Sequence, residues 1–167
     1  MTVYLVMGVS GCGKSTLGRA LADRIGAPFL EGDAYHPPEN VARMAAGLPL
    51  DDGMRAPWLD AIARDLSARA GQGHVVLACS ALKRAYRDRL RQAAPGLVPV
   101  FLDPPRAVLA EWLHHRRGHF MPESLLDSQY DTLEPPGPDE GTVHLTRPEP
   151  ADEMVDRVVE GHPPGDG

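Results

Sequence analysis

Val3-Tyr4-Leu5-Val6-Met7, followed directly by Gly8-Val9-Ser10-Gly11-Cys12-Gly13-Lys14-Ser15-Thr16, is the stretch that decides the fold. Five apolar, mostly β-leaning residues predict a buried strand. They run into G-x-x-x-x-G-K-S, after which Leu17, Ala20, Leu21 and Ile25 recur at the spacing of an amphipathic helix. Each residue type in the loop has a physical reason. Gly8, Gly11 and Gly13 let the backbone turn tightly and bring its N–H groups against a phosphate with no Cβ in the way. The N-terminus of the following helix adds its partial positive charge at the same point. Lys14 has the reach to meet the outer phosphates, and the Ser15 hydroxyl suits Mg²⁺. Strand, glycine loop and helix together identify a nucleoside triphosphate site formed by Gly8 to Thr16.

Beyond this unit, strand and helix patterns alternate to the end of the chain. Gly26 reads as the cap of the first helix, and Ala27-Pro28-Phe29-Leu30 as a second strand running into Glu31-Gly32-Asp33. A short helix is expected from Pro38 to Ala45, a polar loop over 48–55, and a longer helix from near Pro57. Strands are expected over 74–79, 97–102 and 142–145, with helices at 84–94, 105–116, 123–133 and near Met154 to Val159. The expected architecture is α/β, a three-layer sandwich with a five-stranded parallel sheet between helices. Residues 1–160 are expected to form a single domain and 161–167 a flexible tail.

The chain has 167 residues, 43% of them hydrophobic, which suits one domain with a sizeable core. A net charge of −6 argues against a general nucleic-acid or anionic-membrane surface. Two cysteines, Cys12 and Cys79, make no disulfide framework. With no signal peptide and no apolar run long enough to span a bilayer, a cytoplasmic location is expected. Seven histidines show no zinc-like spacing with the cysteines, so no structural metal is expected. Cys12, at a helix N-terminus, suits either a lowered thiol pKa or a small residue that fits the loop.

Several separated stretches match one family. They are the phosphate loop, Glu31-Gly32-Asp33 with His36-Pro37 and Asn40, Gly47-Leu48-Pro49-Leu50, and Arg55-x-Pro57-Trp58-Leu59. Further along come Cys79-Ser80-Ala81-Leu82-Lys83 with Tyr86-Arg87-Asp88, Gly118-His119-Phe120-Met121-Pro122, Leu125-Leu126-x-Ser128-Gln129-Tyr130, and Leu133-Glu134-x-Pro136. The sequence resembles the bacterial-type gluconate kinases, small P-loop kinases related to shikimate and nucleoside monophosphate kinases. The resemblance implies ATP- and Mg²⁺-dependent phosphorylation of D-gluconate at its 6-hydroxyl, a P-loop NTPase fold with a mobile lid, and a homodimer.

On that resemblance, Lys14 neutralises the nucleotide phosphates, Ser15 holds Mg²⁺ and Glu31 holds a Mg²⁺-bound water. Asp33, two residues after Glu31, orients the acceptor hydroxyl. A sugar acid carries a carboxylate, so the acceptor pocket needs cations: Lys83, Arg84 and Arg87, with Arg55 and His36 adding contacts. Arg116 and Arg117 precede a Gly118 hinge and are expected to close over the phosphates. His119, in the same loop, is assigned to the substrate side. Arg89 and Arg91 read as solvated surface. Cys12 stands where the family often has serine or alanine, and two further positions depart from its pattern on the acceptor and lid sides. Met54 stands where an aspartate usually precedes the arginine, and Trp112 where an arginine is frequent. These departures leave two alternatives: a P-loop kinase for another small polyhydroxy acid such as shikimate, and a nucleotide-binding regulatory protein without transfer activity.

Overall fold

β1 (Val3–Met7) is apolar at every position because both of its faces are covered, and none of its five residues is solvent-exposed. The computed structural model describes residues 1–115 and 123–165. Among these, α1 (Lys14–Ile25), β2 (Phe29–Glu31), α2 (Pro38–Ala45), α3 (Asp52–Ala68), β3 (Val75–Ala78) and α4 (Arg84–Ala93) make the first half. β4 (Leu97–Leu102), α5 (Arg106–His115), α6 (Glu123–Thr132), β5 (Val143–Leu145) and α7 (Ala151–Gly161) complete it. The sheet is parallel, in the order β2-β3-β1-β4-β5, with β1 in register from Val3↔Val75 on one side and Val3↔Leu97 on the other. Alternating side chains of β1 feed two cores. Val3, Leu5 and Met7 pack with Trp58, Ile62 and Leu90 from α3 and α4. Tyr4 and Val6 pack with Leu17, Leu21, Leu109, Val155 and Val158 from α1, α5 and α7. This is the expected five-stranded three-layer sandwich.

The strand order sets where a ligand goes. From β1 the chain crosses outward to β2, returns to β3, then passes to β4 on the far side of β1. The connections after β1 and β3 leave on opposite faces, opening a crevice at the carboxyl ends of these two strands. The Gly8 amide there donates to the Ser80 carbonyl at 3.4 Å.

Three local expectations need correction. α3 starts at Asp52, five residues before Pro57, because the Asp51 carboxylate caps it by accepting from the Met54 amide at 2.8 Å. Pro57 therefore lies inside the helix, and Arg55 is helical rather than part of a loop. β2 starts at Phe29 because the Ala27 amide is still occupied with the Ala22 carbonyl at 2.9 Å, completing the cap of α1. α7 extends through Gly161, and the carbonyl of His162 accepts from the Tyr4 hydroxyl at 2.8 Å, so the expected tail begins with residues fixed to the body. No helix among the described residues is long and apolar enough to cross a membrane.

Candidate active site

The crevice is a cleft of about 340 Å³. One wall is the phosphate loop, with Ser10, Gly11, Gly13, Lys14, Ser15 and Thr16. The other side carries Glu31, Asp33, His36 and Arg55. Trp58, Leu50, Met44 and Leu82 supply apolar surface, and Ser128 and Gln129 enter from α6.

The loop has the backbone its glycines imply. Gly8 and Gly13 have φ of 144° and 97°, and a Cβ on Gly8 would lie 2.5 Å from the Leu102 carbonyl oxygen. Lys14 Nζ donates to the Val9 carbonyl at 3.0 Å, which curls the side chain back over its own loop. The Ser15 hydroxyl donates to Glu31 Oε2 at 2.5 Å, joining the start of α1 to the end of β2. Three of the residues expected to bind nucleotide do not line the cleft. Gly8 and Val9 lie behind it, and Cys12 is buried in the apolar layer with Leu17 and Leu109, as a residue that fits the loop. Cys79 is also buried, and burial pushes its thiol up to about 12.

Asp33 does not continue β2. It lies in a 3-10 turn over Gly32–Tyr35, so Glu31 and Asp33 are not strand neighbours on one face, although both line the cleft. The turn is pinned where a Cβ on Gly32 would meet the Ala78 carbonyl oxygen at 2.5 Å, and Trp58 Nε1 donates to the Gly32 carbonyl at 2.8 Å. His36 stacks on Trp58, with ring centroids 4.3 Å apart. Its Nδ1 faces the side-chain nitrogen of buried Asn40 at 3.2 Å, while Asn40 also donates to the Met54 carbonyl. Burial, aided by Arg55 and opposed by Asp33, holds the His36 imidazole below its ordinary pKa. With Asn40 donating to Nδ1, the neutral ring presents Nε2–H as a donor.

Arg55 reaches the cleft from the first turns of α3. Its Nη1 donates to the Tyr86 hydroxyl at 3.1 Å, and that hydroxyl in turn donates to Asp52. Among the described residues, Lys14 and Arg55 are the cations that line the cleft, and neither forms an ion pair with a carboxylate.

The other expected cations are placed differently. Lys83 bonds both Asp52 oxygens, at 2.9 and 3.0 Å, and does not line the cleft. Arg84 pairs with Asp139 on the surface. Arg87 has 1% of its side chain exposed; it pairs with Glu140 through Nε and Nη2 at 2.8 and 3.0 Å. Its remaining nitrogen donates to the Ala81 and Leu82 carbonyls. Ala81 is the one non-glycine residue with positive φ, at 44°, among those described, so Arg87 braces a strained loop rather than meeting a ligand. Arg91 also reaches Glu140, at 3.1 Å, and is not simply solvated. Arg116, Arg117 and His119 lie outside the described residues. Of the two departures, Met54 contributes a backbone carbonyl to Asn40, and Trp112 packs against the α1-side core.

Comparison with known proteins agrees with this geometry. A protein-family model described as an AAA domain matches residues 3–136. The chain is 47% identical over 158 residues to the gluconokinase of Gluconobacter oxydans (strain 621H), covering 93% of this chain and 88% of that protein. The crystal structure of a gluconokinase from Sinorhizobium meliloti 1021 superposes with a TM-score of 0.87 at 51% identity, covering 96% of this chain and 90% of the other. An unliganded sugar kinase from Janibacter sp. HTCC2649 superposes with a TM-score of 0.93 at 43% identity, covering 99% and 96%. The cleft, the parallel sheet behind it and these likenesses lead to one conclusion: the chain belongs to the gluconokinase family of P-loop kinases.

Proposed function

We propose that the protein transfers the γ-phosphoryl group of ATP to the 6-hydroxyl of D-gluconate, giving 6-phospho-D-gluconate. The observation that carries this reading is a pair of cations in one cleft that, among the described residues, have no carboxylate partner. Lys14 sits on the phosphate loop, and Arg55 stands beside Asp33 and His36, as a donor phosphate and an acceptor carboxylate would require. Membership of the gluconokinase family supports the choice of acid.

Phosphoryl transfer asks the protein for alignment and charge cancellation more than covalent chemistry. In this reading the loop amides and Lys14 hold the β- and γ-phosphates. Asp33 accepts a hydrogen bond from the 6-hydroxyl and takes its proton as the bond to phosphorus forms. Arg55 holds the carboxylate, and His36 Nε2–H donates to a sugar oxygen. Ser15 and Glu31, already in contact, would hold a Mg²⁺ ion. At that position the ion would supply neutralisation of the phosphate charge. Arg116 and Arg117 complete that neutralisation from the segment between α5 and α6. The same reading makes the protein a cytoplasmic homodimer with a single kinase domain that includes all of α7, and its acidic net charge disfavours nucleic acid.

Locating the phosphate on the product tests the reaction. After turnover with Mg²⁺ and ATP, carbon–phosphorus coupling in the NMR spectrum of the purified product is expected at C6. Coupling that falls on carbons other than C6 and its neighbour C5, or ATP hydrolysis without a phosphorylated acid, contradicts the proposal.

A further inference from the structure

Gln129 and Ser10 are joined by two reciprocal hydrogen bonds. The Ser10 amide donates to Gln129 Oε1 at 2.6 Å, and Gln129 Nε2 donates to the Ser10 hydroxyl oxygen at 2.7 Å. The orientation of the carboxamide is fixed by chemistry: a backbone N–H needs an acceptor, so the oxygen must face Ser10 N and the NH₂ must face Oγ. The Ser10 amide and the Val9 carbonyl belong to one peptide group, and Lys14 Nζ holds the carbonyl edge at 3.0 Å. Lys14 and Gln129 therefore grip the same peptide from opposite sides. Because the lysine of such a loop serves the outer phosphates, this peptide marks the outer-phosphate end of the site.

Once Nε2 donates to the Ser10 oxygen, the hydroxyl proton is left to donate elsewhere, and Nε2 keeps a second N–H. Both residues line the cleft, so two neutral donors are presented together, held by bonds that do not depend on a ligand. We infer that Ser10 and Gln129 form a reader of the terminal phosphate. The Ser10 hydroxyl and the second Gln129 N–H donate to a γ-phosphoryl oxygen, and Gln129 sets the direction of the Ser10 proton. This gives α6 a role in distinguishing ATP from ADP. It rests on the reading of the cleft as a triphosphate site, not on the identity of the acceptor.

The test is nucleotide binding in the absence of gluconate, so failure of the acceptor assignment shows only in turnover assays. Dissociation constants for Mg²⁺-ADP and for the Mg²⁺ complex of a β,γ-imido ATP analogue are measured calorimetrically on the full chain. The variants are Gln129→Ala, Gln129→Glu and Ser10→Ala. Gln129→Glu keeps an acceptor for the Ser10 amide but draws the hydroxyl proton toward itself. Ser10→Ala keeps the amide bond and removes only the hydroxyl, which guards against misfolding of either Gln129 variant. The expected result is a roughly tenfold fall in the preference for the triphosphate over ADP, the scale of a hydrogen bond to a charged group. Equal weakening of both nucleotides identifies Gln129 as a brace for the loop and overturns the inference. An unchanged preference in Ser10→Ala and Gln129→Glu overturns it as well.

Discussion

Among the described residues, Lys14 and Arg55 line the cleft without an ion pair to a carboxylate, unlike the paired cations outside it, and that difference predicts different kinetic signatures. Lys14→Ala removes charge aimed at the outer phosphates, so kcat should fall by about two orders of magnitude or more. Arg91→Ala should leave kcat within about twofold while costing about 1 kcal/mol of stability, since it only trims the bonds around Glu140. Steady-state kinetics and urea denaturation of the two variants check this pair. Arg55→Gln removes the proposed carboxylate contact, so KM for gluconate should rise about tenfold or more while KM for ATP holds. A rise in both constants would place Arg55 elsewhere. The cleft placement of Lys14 and Ser15 is legible in the sequence because it is set by neighbours within the same loop. Arg87 is not, because its partner Glu140 is 53 residues away along the chain and a basic helix pattern looks the same whether it faces solvent, substrate or a buried carboxylate.

α4 and the turn before β5 are tied together through that buried pair. Glu140 feels two opposed influences. Burial, the larger single one, pushes its carboxyl up. Arg87, the Gly137 amide and Arg91 together outweigh it and bring the carboxyl down to about 2. A carboxyl lowered on folding stabilises the protein above its unfolded pKa, near 4.5, and that contribution is lost as pH falls toward 2. Its size is on the order of 3 kcal/mol. Arg87→Met removes the main partner of a buried carboxylate, leaving it Arg91 and the Gly137 amide, and should destabilise by about 3 kcal/mol. The variant should also show a smaller loss of stability between pH 5 and 2 than the parent, measured by denaturation across that range. If Arg87→Met instead raised KM for gluconate with stability intact, the brace would be refuted and a substrate contact restored. The start of α3 carries the same lesson at this scale. Pro57 is a fair signal for a first helical turn, yet the Asp51 cap three residues before Met54 overrides it and moves Arg55 onto the helix.

Across the whole molecule, the order β2-β3-β1-β4-β5 explains why residues from opposite ends of the sequence share one cleft. The loop after β1, the turn after β2 and Ser80 after β3 all lie at the carboxyl edge of the sheet, where α2, α3 and α6 complete the walls. The sheet is legible because β1, β3 and β4 are short, nearly continuous apolar runs, and the edge strands β2 and β5 are bounded by turn signals. The cleft was legible in part. Asp33, His36 and Arg55 were found through motif resemblance, whereas the roles of Asn40, Tyr86 and Gln129 depend on bonds made across the fold. Met54 and Trp112 leave the site's polar framework standing, since one lends a backbone carbonyl and the other packs, half-buried, against the core. The central claim therefore concerns substrate choice, and one initial-rate experiment tests it. Mg²⁺- and ATP-dependent turnover is measured on D-gluconate, shikimate, 2-keto-gluconate, glucose and AMP under identical conditions. The account predicts that kcat/KM for D-gluconate exceeds the others by at least about two orders of magnitude, as a site that hydrogen-bonds its substrate's polar groups should discriminate. A preference for any other acceptor, or ATP binding with no turnover on the whole panel, would contradict it.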